Sequence, residues 1–590
     1  MWIRDARPDE ADALTALVLR SKAHWGYDEA FLAACRDELA IRAGELVARR
    51  IVVAENDTAV LGVASLEGEA PDGELGLLFV EPWAIGGGVG RTLYAYVLDA
   101  ARQLGFKRLA IDADRNAEPF YRAMGARPVP EAGRELPRLE VTLTPRADWA
   151  QAWTDGRRAV HLGNVAEFQG QLGEVTDEAR RAADHYACLA AFASPHPAAL
   201  VLPGSVPGGW ITMVARQLCW GQVEVYADLT GPDVLARPAL VRNLRALGLP
   251  FVPWGHTEAS GELSGRRLPP DALRYESKRA SHTLFRQLAP EHPAIVVPER
   301  WTPATRREAA RLIAARARAG AATVVKTEHG AGGSGTRVVT DRVRAGSLPR
   351  GPLLLEEYVA GDGTTGDPTY DGLIDAQGQV HDVGVAAMDV EGTVYRGATV
   401  GPGAVPDDLA AHALRFGHAV GRELAASGYR GWFDVDFVTG PGGRLAPTET
   451  NLRLTGPSAA FMVKLRLDEL RGGDHLVRSL DRVPLGARLP APELIAFLRD
   501  LTERCAGIDA VLVPSIPTAG YEPDPYVGVL IAACTSERLD AAEALVRAAS
   551  RDLGRIFPDH FWSSGSDFSA PHTAQVATTP AAIISGTLKV

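Results

Sequence analysis

Hydrophobic positions along the chain switch between two spacings, every second residue and every third or fourth, and the switches mark out its elements. Met1–Ala6 alternates as a strand, and Asp9–Arg20 carries apolar residues at helical spacing. Ile51–Glu55 and Ala59–Leu66 alternate about a turn at Asn56-Asp57, which predicts an antiparallel hairpin. Gly73–Val80 is a further strand. It runs into EPWAIGGGVGRTLYAYVLDAARQLG, where a glycine-rich turn opens a helix carrying Leu93, Val97 and Ala101. A strand over Arg108–Ala113 and a short helix over Glu118–Met124 follow.

Beyond the polar stretch Thr142–Asp155, short apolar runs (Ala199–Pro203, Gln222–Ala227, Leu249–Trp254) alternate with helical patterns. That pattern predicts a small parallel α/β unit, closed by Gly261–Asp271, which would scaffold or wall the next site. No G-x-G-x-x-G follows its first strand, so a dinucleotide site is not indicated. Next, YESKRASHTLFRQLA and the pattern through Arg318 predict helices, and strands follow in AATVVK, TRVV and LLLEEYVAG (Leu353–Gly361). Trp432–Arg453, WFDVDFVTGPGGRLAPTETNLR, is two alternating runs about Gly-Pro-Gly-Gly, a β-hairpin. A helix over Ala491–Cys505, strands in VLVPSIP and YVGVLIAAC, and a helix in SERLDAAEALVRAASRDLG predict a small α/β appendage. From His560 the chain is polar, Ser/Thr-rich and aperiodic, which reads as flexible or loosely docked.

At 590 residues the chain exceeds one ordinary core, so three to four domains are expected. A hydrophobic fraction of 46% and a charged fraction of 23%, with no apolar run long enough for a bilayer, are those of a soluble globular protein without a membrane partner. The net charge of −11 and the lack of a Lys/Arg stripe with interleaved aromatics argue against nucleic acid. Cys35, Cys188, Cys219, Cys505 and Cys534 are scattered and never in C-x-x-C spacing, which argues against zinc and a disulfide framework. With Met1 leading straight into a polar segment, the expected location is the cytoplasm.

Two stretches carry chemistry. Gly86, Gly87, Gly88 and Gly90 let the backbone turn so that free N–H groups at a helix N-terminus face an anion. In the hairpin, Asp434 and Asp436 share one strand face, and Glu449 and Asn451 share a face of the other. Pairing them brings together two or three carboxylates and an amide oxygen, a hard-oxygen cluster suited to Mg²⁺, with Arg453 a fixed cation beside it. Between them, Gly330, Gly332 and Gly335 spell G-x-G-x-x-G, but the TRVV strand pattern after the loop excludes a Rossmann site. A glycine-rich turn between two strands is instead a flap over phosphates, here preceded by Lys326. Glu356-Glu357 at the end of the next strand are placed for a nucleotide's adenine and ribose edge.

Across nearly all of residues 1–145 the chain resembles the GNAT acetyltransferases, through LLFVEPWAIGGGVGRTL and DADRNAEPFYRAMGA. The resemblance implies acetyl-CoA on Phe79, Val80, the loop Gly86, Gly87, Gly88, Val89, Gly90 and Arg91, and Asn116. It also implies Tyr121 as proton donor to the departing thiolate, while Ile85 stands where the family's loop usually begins with Gln or Arg. Glu74 and Glu81 are candidate bases by position, and Ser21–Phe31 is a candidate wall for an acceptor.

In order, Lys278, Lys326, the Gly330–Gly335 flap, Glu356-Glu357 and the Asp436/Glu449/Asn451 set resemble the ATP-grasp ligases over roughly residues 273–475. KTEHGAGGSGT and ETNLRLTG look most like the peptide ligases of the pheganomycin type, and the fusion is similar to bacterial synthetases of N-acetylated dipeptides. The resemblance implies ATP on Lys278, Lys326, Gly332, Gly333, Ser334, Gly335, Glu356, Glu357, Tyr358 and Val359, with Mg²⁺ on Asp436, Glu449 and Asn451. Arg453 and Arg396 are candidates to hold the acyl phosphate, with Arg453 and Lys326 catalytic.

The expected fold class is therefore α/β and α+β multidomain. It comprises a GNAT domain (1–147), a pre-ATP-grasp α/β domain (148–272), an ATP-grasp domain (273–480) and a small C-terminal α/β domain with its tail (481–590). The expected function is a bifunctional enzyme using ATP, Mg²⁺ and acetyl-CoA: a carboxylate–amine ligase acting through an acyl phosphate, joined to an N-acetyltransferase. It would serve biosynthesis of a peptide-like small metabolite. Its partners are a small carboxylate and an amine, of amino-acid or peptide-like type, and a homodimer is a candidate assembly. Competing readings are a phosphotransferase that stops at a phosphorylated product, a GNAT unit that senses CoA for the ligase, and an idle nucleotide-binding scaffold.

Overall fold

Trp2–Asp5, Val52–Glu55, Val60–Ala64 and Leu78–Val80 form an antiparallel sheet in that spatial order. A second sheet takes Glu67–Glu69, Asp72–Glu74, Arg108–Asp112, Arg138–Thr142 and Arg127–Pro128, also in that order. The structure, a computed structural model, describes residues 1–129, 136–143, 147–229, 231–330, 335–361 and 366–556. The expected tail from His560 lies outside the described residues.

The strand expected over Gly73–Val80 is divided between the two sheets. Asp72–Glu74 runs parallel to Arg108–Ala110, and Leu75 still donates to the Ala110 carbonyl at 2.9 Å. Leu78–Val80 then leaves for the first sheet, so two parallel chains fork. Helix Val89–Gln103 lies against the first sheet, burying Leu93, Val97 and Ala101 as its spacing predicts. Helix Glu29–Leu39, capped by Asp28, was not legible because none of its residues is buried and no apolar stripe marks it.

The middle of the chain holds the expected parallel sheet, in the order Glu224–Tyr226, Pro197–Val201, Ala159–Leu162, Phe251–Pro253. Arg300–Trp301, Leu353–Glu357, Thr323–Thr327 and Thr336–Val339 then make a small antiparallel sheet covered by helix Arg306–Arg318.

Facing it is an eight-stranded antiparallel sheet: Arg444–Asn451, Gly431–Gly440, Asp367–Ile374, Val380–Glu391, Val394–Val400, Leu476–Pro484, Tyr526–Ala533 and Val511–Ile516. Here the expected separate C-terminal unit is corrected. Tyr526–Ala533 pairs directly with Leu476–Pro484, so the last strands extend the sheet that carries the hairpin. These strands are apolar on both faces, because helices cover them on both sides.

Helix Gly456–Arg471 follows the hairpin and is buried on nearly every side. It packs against the large sheet and against helix Val89–Gln103 of the first unit. The Arg471 carbonyl lies where a Cβ on Gly125 would be, 1.5 Å away, and Gly125 has φ +90°, so only glycine fits there.

Candidate active sites

The hairpin closes through Pro441–Gly443, where Gly442 and Gly443 take φ of 72° and 69°. Its register sets Asp434 opposite Asn451 and Asp436 opposite Glu449, so the four side chains meet. The Asn451 amide donates to Asp434 at 2.7 Å and to Asp436 at 3.3 Å. Its oxygen accepts from Arg453 Nη1 at 2.6 Å. From the neighbouring strand Asp371 faces Asp434, and it accepts from Trp432 Nε1 at 2.8 Å.

Both expected lysines reach this cluster. Lys278, at the start of its helix, forms an ion pair with Glu449. Lys326, on the small sheet, pairs with Glu356 at 2.8 Å and reaches the Thr448 carbonyl at 3.4 Å across the cleft. Glu356 is 3% exposed and also pairs with Arg300. Its role is corrected accordingly: it holds Lys326 in place, because both its oxygens are taken. Arg453 is bound by Glu276 at 2.5 Å, whose other oxygen accepts the Leu452 N–H. The middle unit supplies a wall, as expected: Trp254 and Phe168 stand 5.2 Å and 5.9 Å from the Arg453 guanidinium.

Burial sets the electrostatics here. It pushes the Asp436 carboxyl up to about 7, helped by the Glu449 charge. It lifts Asp434 and Asp371 well above the ordinary carboxylate range, each raised further by acidic neighbours. Burial acts the same way on Glu449 and Glu356, but Lys278 and Lys326 outweigh it for the first, and Lys326 and Arg300 for the second. Both are held ionised. Burial opposes the charge of Arg453, and Glu276, Asp434 and Glu449 outweigh it.

Six acidic side chains, Glu276, Glu356, Asp371, Asp434, Asp436 and Glu449, gather with four cations, Lys278, Arg300, Lys326 and Arg453, and burial favours the neutral form of Asp371, Asp434 and Asp436. Among the described residues no three His, Cys, Asp or Glu side chains are close enough to hold a metal alone. Two carboxyls and an amide oxygen, with Asp436 raised by the Glu449 charge, nevertheless fit Mg²⁺, which would relieve that repulsion, takes few protein ligands and completes its shell from phosphate and water.

The cluster opens into a cavity of about 860 Å³ between the two sheets. Glu357, Tyr358 and Val359 line it, with Tyr358 exposed. The Glu357 N–H donates to the Glu299 carbonyl at 2.9 Å, so that group is withdrawn from any adenine contact. Gly335 supports the flap strand by accepting from Thr327 N–H at 3.0 Å, while Gly332, Gly333 and Ser334 lie outside the described residues. Arg396 lines the rim, where it pairs with exposed Glu391 at 2.9 Å and so stands apart from the Arg453 cluster.

In the first unit, Gly88 takes φ +88° and starts helix Val89–Gln103 with no side-chain cap. The loop and the fork converge, since the Cβ position of Gly90 lies 3.5 Å from Val80 and 3.9 Å from Phe120. Phe79 and Val80 are half-buried at the sheet edge. The Arg91 guanidinium is turned away to the Arg216 carbonyl, 3.0 Å distant, leaving its main chain at the helix start.

Tyr121 packs with Tyr94 and Phe120 in the core, and burial holds its hydroxyl far above the ordinary range. Glu81 is bound by Arg20 at 2.5 Å, so it is partnered rather than free as a base. Glu74 is raised by burial and faces Arg138 at 3.6 Å. Asn116 and Tyr27 gather on Asp114, which also pairs with Lys22 at 3.2 Å, so polar and aromatic side chains of the Ser21–Phe31 stretch cluster there.

Sequence reasoning missed Glu276, Arg300, Asp371 and Trp254. Only Glu276 left a signal, as an acid two residues before Lys278 in a helix start whose first turn is otherwise basic.

Residues 19–126 match the model of the acetyltransferase (GNAT) family, so the first unit is a GNAT domain. Comparison with curated proteins finds no match. Similar solved structures include the PaiA N-acetyltransferase of Thermoplasma acidophilum in complex with coenzyme A, at 18% identity over 24% of this chain and 98% of that one, with a TM-score of 0.23. They also include the carboxyaminoimidazole ribonucleotide synthase of Aspergillus clavatus complexed with ATP, at 15% identity over 62% of this chain and all of that one, TM-score 0.39. The N5-carboxyaminoimidazole ribonucleotide synthetase of Thermus thermophilus is similar at 17% identity over 69% of this chain and all of that one, TM-score 0.38.

Proposed function

We propose that this chain is an ATP-dependent carboxylate–amine ligase of the ATP-grasp type, fused to an acetyl-CoA-dependent N-acetyltransferase. Its setting is the assembly of a peptide-like small metabolite. The observation that carries the ligase reading is the convergence of Lys278, Lys326, Asp436, Glu449, Asn451 and Arg453 on one cavity between two sheets.

A carboxylate is a poor acyl donor, because an amine meets it as an acid. Phosphorylation by ATP makes an acyl phosphate, and attack by the amine then releases phosphate and leaves the amide. Mg²⁺, when bound on Asp436, Glu449 and Asn451, would neutralise charge on the transferring group. Lys326, held by Glu356, and Lys278, beside Glu449, supply positive charge for the phosphate oxygens. Arg453, gripped by Glu276 and walled by Trp254, is preset to hold acyl phosphate oxygens without reorganising.

The test is ADP release by the full chain with MgATP and panels of acids and amines. Ligation predicts ADP only when acid and amine are both present, and hydroxylamine in place of the amine should trap the acyl group as a hydroxamate. Steady ADP formation with an acid alone, yielding a phosphorylated product, would favour the phosphotransferase.

A second reading of the GNAT domain has its own observation. Buried Arg466 of helix Gly456–Arg471 pairs with Asp99 of helix Val89–Gln103 at 3.3 Å, and Arg102 of that helix donates to the Glu469 carbonyl. A helix that starts at the CoA loop thus grips a helix that starts beside Arg453, an arrangement suited to a CoA-sensing module. Absence of CoA release with every amine tested, together with a change in ligase rate on adding acetyl-CoA, would favour it over acetyl transfer.

A further inference from the structure

Residues of the middle unit and of strand Leu476–Pro484 also line the cavity and bound a chamber within it. One wall comes from the middle unit, where Trp254 meets Phe168 edge-on at 5.5 Å and Tyr186 at 6.5 Å. Because Trp254 also touches the Arg453 guanidinium, this aromatic wall is continuous with the acyl phosphate end.

The facing wall is strand Leu476–Pro484, and its irregularity is informative. Leu480 pairs with Val529 and Val483 with Val527, so Asp481 and Arg482 together stand opposite the single residue Gly528. A bulge of this kind breaks the alternation of a strand and re-aims side chains. Consecutive residues that a regular strand would send to opposite faces here both line the chamber.

Asp481 Oδ2 is buried and has no hydrogen-bond partner among the described residues, and no cation pairs with it. Burial pushes this carboxyl up to about 7, with only the Tyr186 hydroxyl opposing the shift. Tyr186 feels Asp481 on one side and Arg453 and Asp434 on the other, so it stands between the chamber and the metal–phosphate end. Arg482 lies 4.3 Å from the Tyr526 ring centroid and makes no ion pair among the described residues. With Tyr186 acting on the carboxyl, Oδ2 is the oxygen left without a donor, which is unfavourable in the free protein, and a bound ammonium would supply one.

We infer that this chamber is the amine subsite of the ligase. Its substrate is an α-amino acid, free or at the start of a peptide-like chain, with an apolar or aromatic side chain. The ammonium meets Asp481, the carboxylate or following carbonyl meets Arg482, and the side chain lies against Trp254 and Phe168. The inference rests on the ligase reading. An acid without an amino group is disfavoured here, since it brings nothing to neutralise Asp481, whereas an α-amino acid arrives chiefly as an ammonium at neutral pH and gives up its proton before the free amine attacks.

The test is calorimetric titration of the full chain, loaded with Mg²⁺ and a non-hydrolysable ATP analogue, with L-phenylalanine, L-leucine, phenethylamine and N-acetyl-L-phenylalanine. L-Phenylalanine and L-leucine should bind, and N-acetylation should weaken binding by about tenfold or more, since it removes the charge that Asp481 needs. Asp481→Asn should produce a similar loss for L-phenylalanine and none for the nucleotide. Arg482→Gln should narrow the gap between L-phenylalanine and phenethylamine, and Ala183→Trp, at a position that also lines the cavity, should block both while sparing the nucleotide.

Equal binding of the N-acetylated and free amino acid, or wild-type affinity in Asp481→Asn, overturns the inference. So does wild-type protein that binds the nucleotide but none of the four probes. Transfer of ¹⁸O from the amino acid's own carboxylate into phosphate would show it to be the acid substrate, which overturns the subsite and leaves the ligase intact. Failure of the ligase reading itself is separate: no nucleotide binds and no pair of substrates releases ADP.

Discussion

Around Arg453 the charged side chains are buried or half-buried and each leans on another, whereas the Gly86–Gly90 turn offers main-chain N–H groups close to the surface. The first arrangement is expensive unless its charges answer one another, so its geometry is fixed by mutual compensation. The second needs only a glycine conformation and an uncapped helix start, and water serves those N–H groups when no ligand is there. A change in the ligase cavity should therefore damage fold and activity together, while a change in the loop should damage binding alone.

The most severe way to break this contrast is Arg453→Met. It strands the buried Glu276 carboxylate, and a loss of about 3–5 kcal/mol of stability is expected. Urea unfolding measures it, and Glu276→Gln on top of Arg453→Met should restore most of the loss without restoring ligation. If the single variant unfolds like the wild type, the charges around Arg453 are not mutually dependent.

Glu449→Gln comes next. It keeps shape and removes one of the carboxylates assigned to Mg²⁺, so ADP formation should fall by about a hundredfold to a thousandfold while CoA binding is unchanged. Gly88→Ala sharpens the other side. Its φ of +88° costs an L-residue about 1–2 kcal/mol, so acetyl-CoA affinity should drop roughly tenfold with the ligase rate intact.

The smallest effect is a pH slope. Asp481 in the folded chain titrates near 7, against 3.8 ordinarily, so between those values the native state holds a proton that the unfolded state has lost. Its contribution therefore falls as pH rises across that window. Asp434 and Asp436 are raised in the same sense, so Asp481→Asn should flatten the decline in melting temperature without abolishing it.

How far the chain could be read divides along the same line. The hairpin was legible because a period of two and a Gly-Pro-Gly-Gly turn specify both the faces and the register, and Asp436 does meet Glu449. The order Lys278, Lys326, Glu356, Glu449 was legible as a spacing of polar residues among apolar runs. What pairs with what was not. Glu276 and Arg453 are 177 residues apart, and Arg300 and Glu356 are 56 apart, and nothing local records either contact.

Asp481 sits in a stretch, SLDRVP, that reads as plain alternation, and the bulge is imposed by the partner strand. The division of Gly73–Val80 between two sheets was hidden for the same reason, since both halves alternate alike. The last strands look like a separate unit because strand patterns do not say which edge they join.

Helix Gly456–Arg471 has one more consequence. Its Arg466 sits in a socket built from Asp99, Glu469 and the carbonyls of Leu218 and Cys219, and its last carbonyl occupies the space beside Gly125. A foreign acetyltransferase grafted in place of residues 1–147 would have to bring its own acid and its own glycine to those points. Without them a buried guanidinium is left with Glu469 as its one remaining acid of the socket, and the transplant is destabilised in the half that was left untouched.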